Sequence, residues 1–243
     1  MAREEGENVI AQDDVVFLLD CDNTLFDNDA FQDDLRDHFT SEFGLQRSDR
    51  YFAILEQMVA ELGYVDYLGA LQRYRLRDIN DPRVMLMSAF FLEYPFASRL
   101  YPGALDLIRR LRNWGLTVVL SDGDAVFQPR KIQLSGLWEA VEGRVLIYVH
   151  KEQMLDAVAA RYPARHYVIV EDKRRILSAT KTEWDGRLTT IFVRQGHYAL
   201  DHDSSIAGPR PDLTVERIGQ LLDYDPEHFK RLSNVIDGTH SRG

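Results

Sequence analysis

Two acidic side chains follow the first apolar segment of the chain, in the sequence Asp20-Cys21-Asp22-Asn23-Thr24. Because successive side chains of a strand point to opposite faces, Asp20 and Asp22 fall on one side and Cys21 on the other. Two carboxylates on one side repel each other, and a divalent cation would relieve that repulsion. Oxygen-only ligands of this kind suit Mg²⁺. The simpler alternative is that one acid caps a helix or turn and the other is a surface charge.

Three later apolar segments also end in residues that suit binding or catalysis. The second ends in Ser121 before a turn that leads into a predicted helix, where backbone N–H groups form an anion site. The third is followed by Lys151, a cation at the predicted start of a helix, where the helix dipole disfavours positive charge. The fourth ends in a second acid pair, Glu171-Asp172. The order acid pair, hydroxyl, lysine, acid pair is more specific than any one of these features alone.

These side chains must be positioned by the elements between them. Short apolar runs rich in β-branched residues predict buried strands within 15–26, 116–124, 144–150, 166–172 and 188–193. Helical patterns fill the gaps at 102–114, 125–135, 151–161 and 173–183. The alternation predicts an α/β fold with a Rossmann-like, mostly parallel sheet. Since ligands bind at the carboxyl ends of such strands, the four strand ends are expected to form one site.

The stretch 29–98 departs from this alternation. It contains several helical patterns and no convincing strand, and the α/β pattern resumes near Tyr101. We therefore predict an all-helical domain at 29–98, inserted after strand 1 into an α/β core formed by 1–28 and 99–243. Within that core, the residues after Gly196 predict a short final strand and helix. Residues 1–14 are expected to be a mobile acidic lead-in, and those from about 232 onward a frayed end.

Composition and charge exclude several classes of protein. The chain has 243 residues, of which 45% are hydrophobic and 28% charged, as in ordinary soluble domains. Its net charge of −10 argues against a nucleic-acid or anionic-membrane partner. No apolar run approaches the roughly 20 residues that cross a bilayer, and the first residues are too polar for a signal peptide. The single cysteine, Cys21, excludes an internal disulfide and makes a reducing cytoplasm the expected compartment.

The four strand ends together resemble the motifs of the haloacid dehalogenase superfamily of hydrolases. The matching residues, in motif order, are Asp20-x-Asp22-x-Thr24-Leu25, Ser121, Lys151 and Glu171-Asp172. The resemblance covers the core from about 15 to 194, and the insertion at 29–98 lies where type-1 capped members carry their cap. It is closest to the phosphatase and phosphoglucomutase branch. The resemblance therefore implies a phosphohydrolase with a Rossmann-like core and a helical cap.

The resemblance also implies a role for each motif residue. Asp20 would be the nucleophile that attacks phosphorus and forms an aspartyl-phosphate. Asp22 would protonate the leaving oxygen and then activate water for hydrolysis. Ser121 and Lys151 would hold the phosphoryl oxygens and offset their charge in the transition state, with Thr24 and Asp122 as further phosphate-binding residues.

The cofactor implied by the resemblance is Mg²⁺. Its ligands would be the Asp20 side chain, the Asp22 backbone carbonyl and the Asp172 side chain. Glu171 would bind it through a water molecule or would contact and orient the residues that bind it. A carboxylate cannot approach an anionic phosphate unless cations cancel the repulsion. Mg²⁺ and Lys151 would supply that positive charge.

Several assignments stay open at this point. Lys131 is an alternative to Lys151 as the third-motif lysine, although its place within a predicted helix favours a solvated role. The basic residues 173–175 are expected to line a solvated helix face. Asp122 and Asp124 are alternatively helix-capping residues and nothing more.

The predicted cap contains one dense basic cluster, formed by Arg73, Arg75 and Arg77 with Arg83 nearby. These arginines are candidates for contact with a second anionic group of the substrate, with a solvated helix face as the alternative. Aromatic residues at helical spacing are expected in the core rather than stacked on a base; they are Tyr64, Tyr67, Phe90, Phe91 and Phe96. The segment 196–198 follows the fifth strand and is a weaker candidate for the site.

We therefore predict a Mg²⁺-dependent phosphatase that acts on a small phosphorylated metabolite. Superfamily members that hydrolyse carbon–halogen bonds lack an acid at the second position, because no leaving oxygen needs a proton, so Asp22 favours phosphoryl transfer. A phosphomutase that passes the phosphoryl group to a sugar is one alternative. A non-catalytic binding protein is another, against which the intact Asp20 and Asp22 pair argues. The identity of the substrate and the oligomeric state are not predicted.

Overall fold

The computed structural model describes residues 15–200 and 208–225 of the chain. The predicted lead-in at 1–14 and the predicted frayed end lie outside the described residues. Six strands form one sheet in which every pair is parallel, in the order β3-β2-β1-β4-β5-β6. The strands are β1 Val15–Leu19, β2 Leu116–Asp122, β3 Val145–Tyr148, β4 His166–Glu171, β5 Leu188–Val193 and β6 Leu213–Val215. The predicted Rossmann-like α/β class is confirmed.

The register of the central strands determines what lies beside the first acid pair. Leu19 of β1 pairs with Val170 of β4, so the next residue along each strand, Asp20 and Glu171, are neighbours. The backbone N–H of Asp20 donates to the carbonyl oxygen of Val170 at 3.0 Å. Both strands are almost entirely apolar and buried, as expected where helices cover both faces of a parallel sheet. The change from apolar to acidic residues therefore coincides with the edge of the core.

The helices predicted for the α/β part are present, with two differences in form, and two further short helices, Leu137–Ala140 and Gly196–Leu200, are not predicted by the sequence. The helices of this part are α5 Ala104–Leu111, α6 Phe127–Leu134, α7 Leu137–Ala140, α8 Leu155–Arg161, α9 Arg174–Trp184 and α10 Gly196–Leu200. The helix predicted from residue 151 begins only at Leu155, because Lys151–Gln153 form a separate 3₁₀ turn. The final predicted helix is likewise a 3₁₀ turn, Ile218–Asp223, which follows the predicted last strand.

Four helices occupy the stretch between β1 and the α/β helices. They are α1 Asn28–Phe43, α2 Leu45–Leu62, α3 Tyr67–Arg75 and α4 Pro82–Glu93. Aspartates cap three of them: Asp27 accepts from the N–H of Ala30, Asp66 from that of Gly69 and Asp81 from that of Arg83. The helical content of this stretch is as predicted, whereas its boundaries as a separate domain stay a prediction.

A cluster of aromatic rings joins these four helices to the α/β part. Phe31 of α1 lies 5.4 Å, between ring centroids, from Phe127 at the start of α6. Tyr67 of α3 lies 4.9 Å from the same ring, in an edge-to-face arrangement. Phe91 and Phe96 are buried in this cluster, as predicted for core aromatics. The start of α6 is thereby held against the helical segment, close to the strand ends that carry the candidate site.

No helix in the described part of the chain combines the length and apolar character that crossing a membrane requires.

Candidate active site

The nucleophile candidate, Asp20, lies directly beyond the central strand β1 and is only 4% exposed. Its Oδ1 atom forms an ion pair with the ammonium group of Lys151. Its Oδ2 atom is buried and has no hydrogen-bond partner among the described residues. One oxygen of this carboxylate is therefore held in place, and the other is left for a cation or a substrate.

The turn after Asp20 is shaped by Asn23, which has a φ of +59°, in the left-handed region that asparagine tolerates better than most residues. Its Oδ1 accepts from the N–H of Asn28 at 3.0 Å and from that of Asp29 at 3.3 Å, so it anchors the start of α1. Thr24 in the same turn is completely buried, and its hydroxyl has no hydrogen-bond partner among the described residues. The structure thus places Thr24 beneath the turn and not at a solvent-facing surface, and its contact with a phosphoryl group stays a prediction.

Three carboxylates from neighbouring strand ends converge. Asp20, Glu171 and Asp172 are all buried, and each offers an oxygen within 4.8 Å of the oxygens of the other two. Both oxygens of Asp172 are buried without hydrogen-bond partners among the described residues, like Oδ2 of Asp20. Leaving several buried carboxylate oxygens unpaired is costly, and a divalent cation bound between them would remove that cost. The donor set therefore fits Mg²⁺, which prefers carboxylate oxygens.

Glu171 differs from the two aspartates because its oxygens are already engaged. Its Oε2 lies 2.6 Å from Nζ of Lys151, and its Oε1 accepts from the backbone N–H of Lys173 at 3.0 Å. Of the two roles predicted for Glu171, these contacts favour that of a support for the ligands, with Asp20 and Asp172 as the direct ones.

The pKa values of the cluster show how strongly its negative charges oppose each other. Burial, followed by the charge of Glu171, raises the pKa of Asp20 to about 7 even though Lys151 opposes the shift. Burial and the charges of Glu171 and Asp20 raise the pKa of Asp172 well above its usual value. Burial would also raise the pKa of Glu171, but the ammonium groups of Lys151 and Lys173 outweigh it and lower that pKa. Full ionisation of all three acids thus requires more positive charge than the lysines supply.

Lys151, the predicted third-motif residue, lies at the centre of the site. It is 2% exposed, and its Nζ contacts Asp20, Glu171 and, at 3.3 Å, the carbonyl oxygen of Leu120. Burial would lower the pKa of this lysine, but Asp20 and Glu171 raise it well above its usual value, so the group stays charged. Lys151 is positioned to offset negative charge at Asp20 and at any anion bound there.

The side chain of Asp122 contacts the turn that carries Lys151. Its Oδ1 accepts from the backbone N–H of Lys151 at 2.8 Å, so this carboxylate holds the Lys151 turn in place. Phosphate binding by Asp122 stays a prediction. Asp124 is a helix cap, as the alternative interpretation proposed, since its Oδ1 accepts from the N–H groups of Val126 and Phe127.

The acid/base candidate, Asp22, is held by two residues of α6 that the sequence analysis did not assign to the site. Lys131 forms an ion pair with Oδ1 of Asp22, and Nε2 of Gln128 donates to Oδ2 at 3.0 Å. Nε2 of Gln128 also lies 2.8 Å from Oγ of Ser121, which links the second-motif hydroxyl to Asp22.

The expectation that Lys131 is solvated is wrong, because the side chain is 1% exposed. Gln128 and Lys131 stand three residues apart and therefore share one face of α6, and that face packs against the strand ends. Lys131 and Lys151 are therefore not alternatives, because Lys131 pairs with Asp22 and Lys151 with Asp20, the two candidate catalytic carboxylates. The i, i+3 spacing of two polar residues just after the second motif was the available signal.

A cavity of about 600 Å³ opens beside Asp22, within the usual range of about 300–1,000 Å³ for small-molecule sites. Its described lining residues come from the helical segment and from the α/β part: Asp22, Asn23, Asn28, Gln32, Val59, Gly63, Tyr64, Val65, Tyr67, Asp122, Gln128, Lys173, Arg174, Arg175, Phe192, Arg194, Tyr198 and Ala199. Asp20 is not among them; Asp22, from the same turn, and Lys173 are. Of the two candidate acids, Asp22 lines the cavity, and Asp20 is buried two residues earlier in the chain.

The lining of the cavity corrects one prediction about basic residues and bears on a second, for which it favours the solvated-face alternative. Residues 173–175 do not form a purely solvated helix face, because all three line the cavity where α9 begins, directly after β4. Arg73, Arg75 and Arg77 are absent from its described lining. The buried face of α3 carries Ala70, Leu71 and Tyr74, so these arginines point elsewhere: Nη1 of Arg73 pairs with Glu61 at 2.7 Å on the surface, and Arg77 is exposed.

Two aromatic expectations also change. Tyr64 and Tyr67 line the cavity, although Tyr67 is at the same time almost fully buried in the aromatic cluster. Tyr198, in the segment considered a weaker candidate, lines it as well, and the neighbouring His197 binds Asp29 through its backbone N–H at 2.8 Å. Of the segment 196–198, Tyr198 thus forms part of the cavity wall.

Adding Mg²⁺ to the EDTA-treated protein is expected to raise its melting temperature, because the cation pairs carboxylate oxygens that are otherwise buried and unpaired. Saturation at 100 times the Kd stabilises a protein by about 2.7 kcal/mol. Asp172→Asn removes a repelling charge and a ligand, so the variant should melt higher than the wild type in EDTA and respond little to Mg²⁺. Differential scanning calorimetry measures both effects. The exposed Asp106→Asn is the control that keeps the full response, and a wild-type melting temperature indifferent to Mg²⁺ would exclude the metal site.

Comparison with solved structures identifies the family. A candidate haloacid dehalogenase-like hydrolase from Burkholderia xenovorans LB400 is 61% identical over 89% of this chain and 98% of that chain, with a TM-score of 0.84. Two further structures share the fold at low identity. An L-2-haloacid dehalogenase from Xanthobacter autotrophicus with chloropropionic acid covalently bound is 16% identical over 88% of this chain and 98% of its own, with a TM-score of 0.56.

The other is YfnB of Bacillus subtilis, a candidate hydrolase of the same type in a structure bound to magnesium. It is 14% identical over 86% of this chain and 97% of its own, with a TM-score of 0.60. Neither a protein-family model nor a curated protein matches the chain. The relative from Burkholderia xenovorans, identical at more than half of its aligned positions, has the same fold. The chain belongs to the haloacid dehalogenase-like hydrolases.

Proposed function

We propose that this hydrolase is a Mg²⁺-dependent phosphatase that acts on a small phosphorylated metabolite. The observation that supports it most is the presence of two carboxylates in different environments. Asp20 is buried beside Lys151 in the acidic cluster, whereas Asp22 lines the cavity between Lys131 and Gln128. One acid is suited to attack phosphorus, and the other is placed to exchange a proton with a leaving group or water.

In the first half-reaction, a carboxylate oxygen of Asp20 attacks phosphorus and the bond from phosphorus to the leaving oxygen breaks. Asp22 gives a proton to that oxygen, so the alcohol departs neutral and Asp20 carries an aspartyl-phosphate. Lys151 fixes Oδ1 of Asp20 and offsets the charge that develops on the phosphoryl oxygens. Ser121, linked to Asp22 through Gln128, is the second group proposed to bind those oxygens.

In the second half-reaction, Asp22, now a carboxylate, accepts a proton from water. The water oxygen attacks phosphorus, and the bond from phosphorus to Asp20 breaks. Inorganic phosphate leaves, Asp20 is restored as a carboxylate, and Asp22 holds a proton taken from water, which replaces the one that left with the alcohol. Lys131 and Gln128 keep the Asp22 side chain in one position through both steps.

The metal would be held by Asp20 and Asp172, with Glu171 behind them in contact with Lys151 and the N–H of Lys173. When bound, Mg²⁺ supplies the positive charge that allows a carboxylate to approach an anionic phosphate. Lys151 pairs with both Asp20 and Glu171, so its single charge already offsets part of their negative charge and does not suffice for the phosphate as well.

A second candidate function is hydrolysis of a carbon–halogen bond, since one structure with the same fold is an L-2-haloacid dehalogenase. In that chemistry the nucleophile displaces halide from carbon, and no leaving oxygen requires a proton. Asp22 and the two side chains that hold it would then have no part in the first step. The arrangement around Asp22 therefore favours the phosphatase.

Turnover of 4-nitrophenyl phosphate, with Mg²⁺ and with EDTA, tests the proposal. We expect release of nitrophenolate and phosphate with Mg²⁺ and none with EDTA. Chloride release from 2-chloropropionate, in place of any phosphate hydrolysis, would reverse the choice between the two candidates. Product analysis with sugar phosphates separates a phosphatase, which yields inorganic phosphate, from the phosphomutase alternative, which yields an isomeric sugar phosphate.

A further inference from the structure

The wall of the cavity carries positive charge that the proposed phosphoryl chemistry does not use. Among its described lining residues, four are cationic, namely Lys173, Arg174, Arg175 and Arg194, and two are acidic, namely Asp22 and Asp122. Both acids are already engaged, the first with Lys131 and the second with the backbone N–H of Lys151. The chain as a whole has a net charge of −10, so the local charge is opposite in sign to that of the protein.

Two of the four cations are neutralised by acids outside the cavity lining. Nη1 of Arg175 lies 2.6 Å from Glu152, and Nη1 of Arg194 lies 3.0 Å from Glu216. Because each of these arginines is paired with a glutamate, it presents little net positive charge to a ligand in the cavity. The free positive charge of the wall must therefore come from Lys173 and Arg174.

The charged groups of Lys173 and Arg174 have different surroundings. Lys173 is influenced by the carboxylates of the acidic cluster, which raise its pKa against the effect of burial, and its Nζ lies 4.8 Å from the centroid of the Tyr198 ring. The side chain of Arg174 is half-buried in the wall and makes no ion pair or hydrogen bond with the described residues. Arg174 is thus the cation that a ligand in the cavity would meet first.

The position of Arg174 in the fold gives it no evident structural role. It is the first residue of α9, the end of a helix at which the dipole disfavours a cation. It stands two residues after Asp172, so the two Cα atoms are at most about 7 Å apart. A guanidinium group binds carboxylates and phosphates through two parallel hydrogen bonds. Arg174 lines the same cavity as Asp22, so an anion bound by Arg174 would share that cavity with a leaving group that reaches Asp22.

We propose that Arg174, with Lys173 beside it, forms a subsite for a second anionic group of the substrate. The inference rests on the proposed phosphatase function and specifies its substrate class: small phosphate esters that also carry a carboxylate or a second phosphate. The cavity, at about 600 Å³, has room for such a molecule beyond the phosphoryl group itself. The two kinds of substrate, with a carboxylate or with a second phosphate, have one feature in common: an anionic group within a few bonds of the reacting phosphorus.

Matched pairs of substrates test the subsite with the full-length protein and Mg²⁺. One pair is 3-phosphoglycerate and glycerol 3-phosphate, which differ by a carboxylate; the other is ribose 1,5-bisphosphate and ribose 5-phosphate, which differ by a phosphate. Hydrogen bonds between charged groups correspond to about 10- to 100-fold in affinity. We expect the wild type to prefer a doubly anionic member by that factor in kcat/KM, and the pair that shows the preference identifies the anion.

Arg174→Met is expected to reduce this preference by about 10-fold or more, mainly through KM, and Arg174→Lys to restore part of it. The exposed Arg109→Met is the matched control that keeps the wild-type preference. Circular dichroism and melting temperatures establish that the variants fold. A wild type that hydrolyses 4-nitrophenyl phosphate but shows no preference, or a preference that Arg174→Met leaves intact, overturns the subsite alone. A protein that hydrolyses no phosphate ester overturns the subsite and the proposed function together.

Discussion

Asp20→Asn is expected to lower kcat for every phosphate ester by at least about 10⁴-fold, the order of loss seen when a covalent nucleophile is removed. An amide oxygen is a poor nucleophile towards phosphorus. The neighbouring carboxylates are not expected to replace Asp20, because Glu171 is engaged by Lys151 and Lys173 and Asp172 is the proposed metal ligand. The fold should survive, since the substitution removes one of three mutually repelling charges and leaves Lys151 paired with Glu171. Steady-state kinetics and the melting temperature measure the two expectations.

The matched control for this variant is Asp106→Asn, which makes the same chemical change at an exposed position on α5. It should keep the wild-type rate. A substantial residual rate in Asp20→Asn, with a normal melting temperature, would remove Asp20 from the role of nucleophile. Loss of the fold in Asp20→Asn would instead show that the carboxylate is chiefly structural.

Asp22→Asn is expected to slow the hydrolysis of alkyl phosphates by about 10²- to 10⁴-fold, the usual contribution of general acid–base catalysis. The loss should depend on the leaving group. An alkoxide needs a proton in order to depart, whereas 4-nitrophenolate leaves as a stable anion. With 4-nitrophenyl phosphate the first half-reaction should therefore proceed, and the second, which needs Asp22 as a base, should be slow.

Stopped-flow measurement of this variant should show a burst of nitrophenolate close to one equivalent of enzyme, followed by a slow steady state. The wild type should show a smaller burst or none. Equal losses for alkyl and aryl esters, with no burst, would argue that Asp22 binds substrate without transferring a proton. An unchanged rate on both would exclude Asp22 from catalysis and remove the argument from this acid that favours a phosphatase over the carbon–halogen alternative.

The strands of the fold could be predicted because their signal is local. Each buried strand is a short apolar run, and the acids Asp20 and Asp172 stand where the runs end, so sequence alone predicts their edge of the sheet. The start of α8 could not be predicted in this way. Lys151 is drawn inwards by Asp20 and Glu171, which turns residues 151–153 into a separate 3₁₀ turn before the helix begins.

Parts of the candidate site could not be predicted, because burial of a polar side chain depends on partners far along the chain. Lys131 is buried by its ion pair with Asp22, which lies 109 residues earlier, and a helical pattern does not contain that information. The arginines at 73, 75 and 77 show the opposite case, in which side chains that are candidates for the site lie outside the cavity lining. Their density suggests a binding cluster, but the packing of Tyr74 and its neighbours turns them away from the cavity, whereas Arg174 lines it.

The covalent step at Asp20 can be observed directly. The enzyme is mixed with a phosphate ester and Mg²⁺, quenched in acid during turnover, digested and analysed by peptide mass spectrometry; Asp22→Asn, in which breakdown of the intermediate is slowed, gives the best yield. Phosphate should be found on the peptide that contains Asp20 and disappear in the Asp20→Asn protein. Phosphate on a different residue, or turnover by Asp22→Asn with a nitrophenolate burst but no phosphorylated peptide, would contradict a mechanism in which this carboxylate attacks phosphorus.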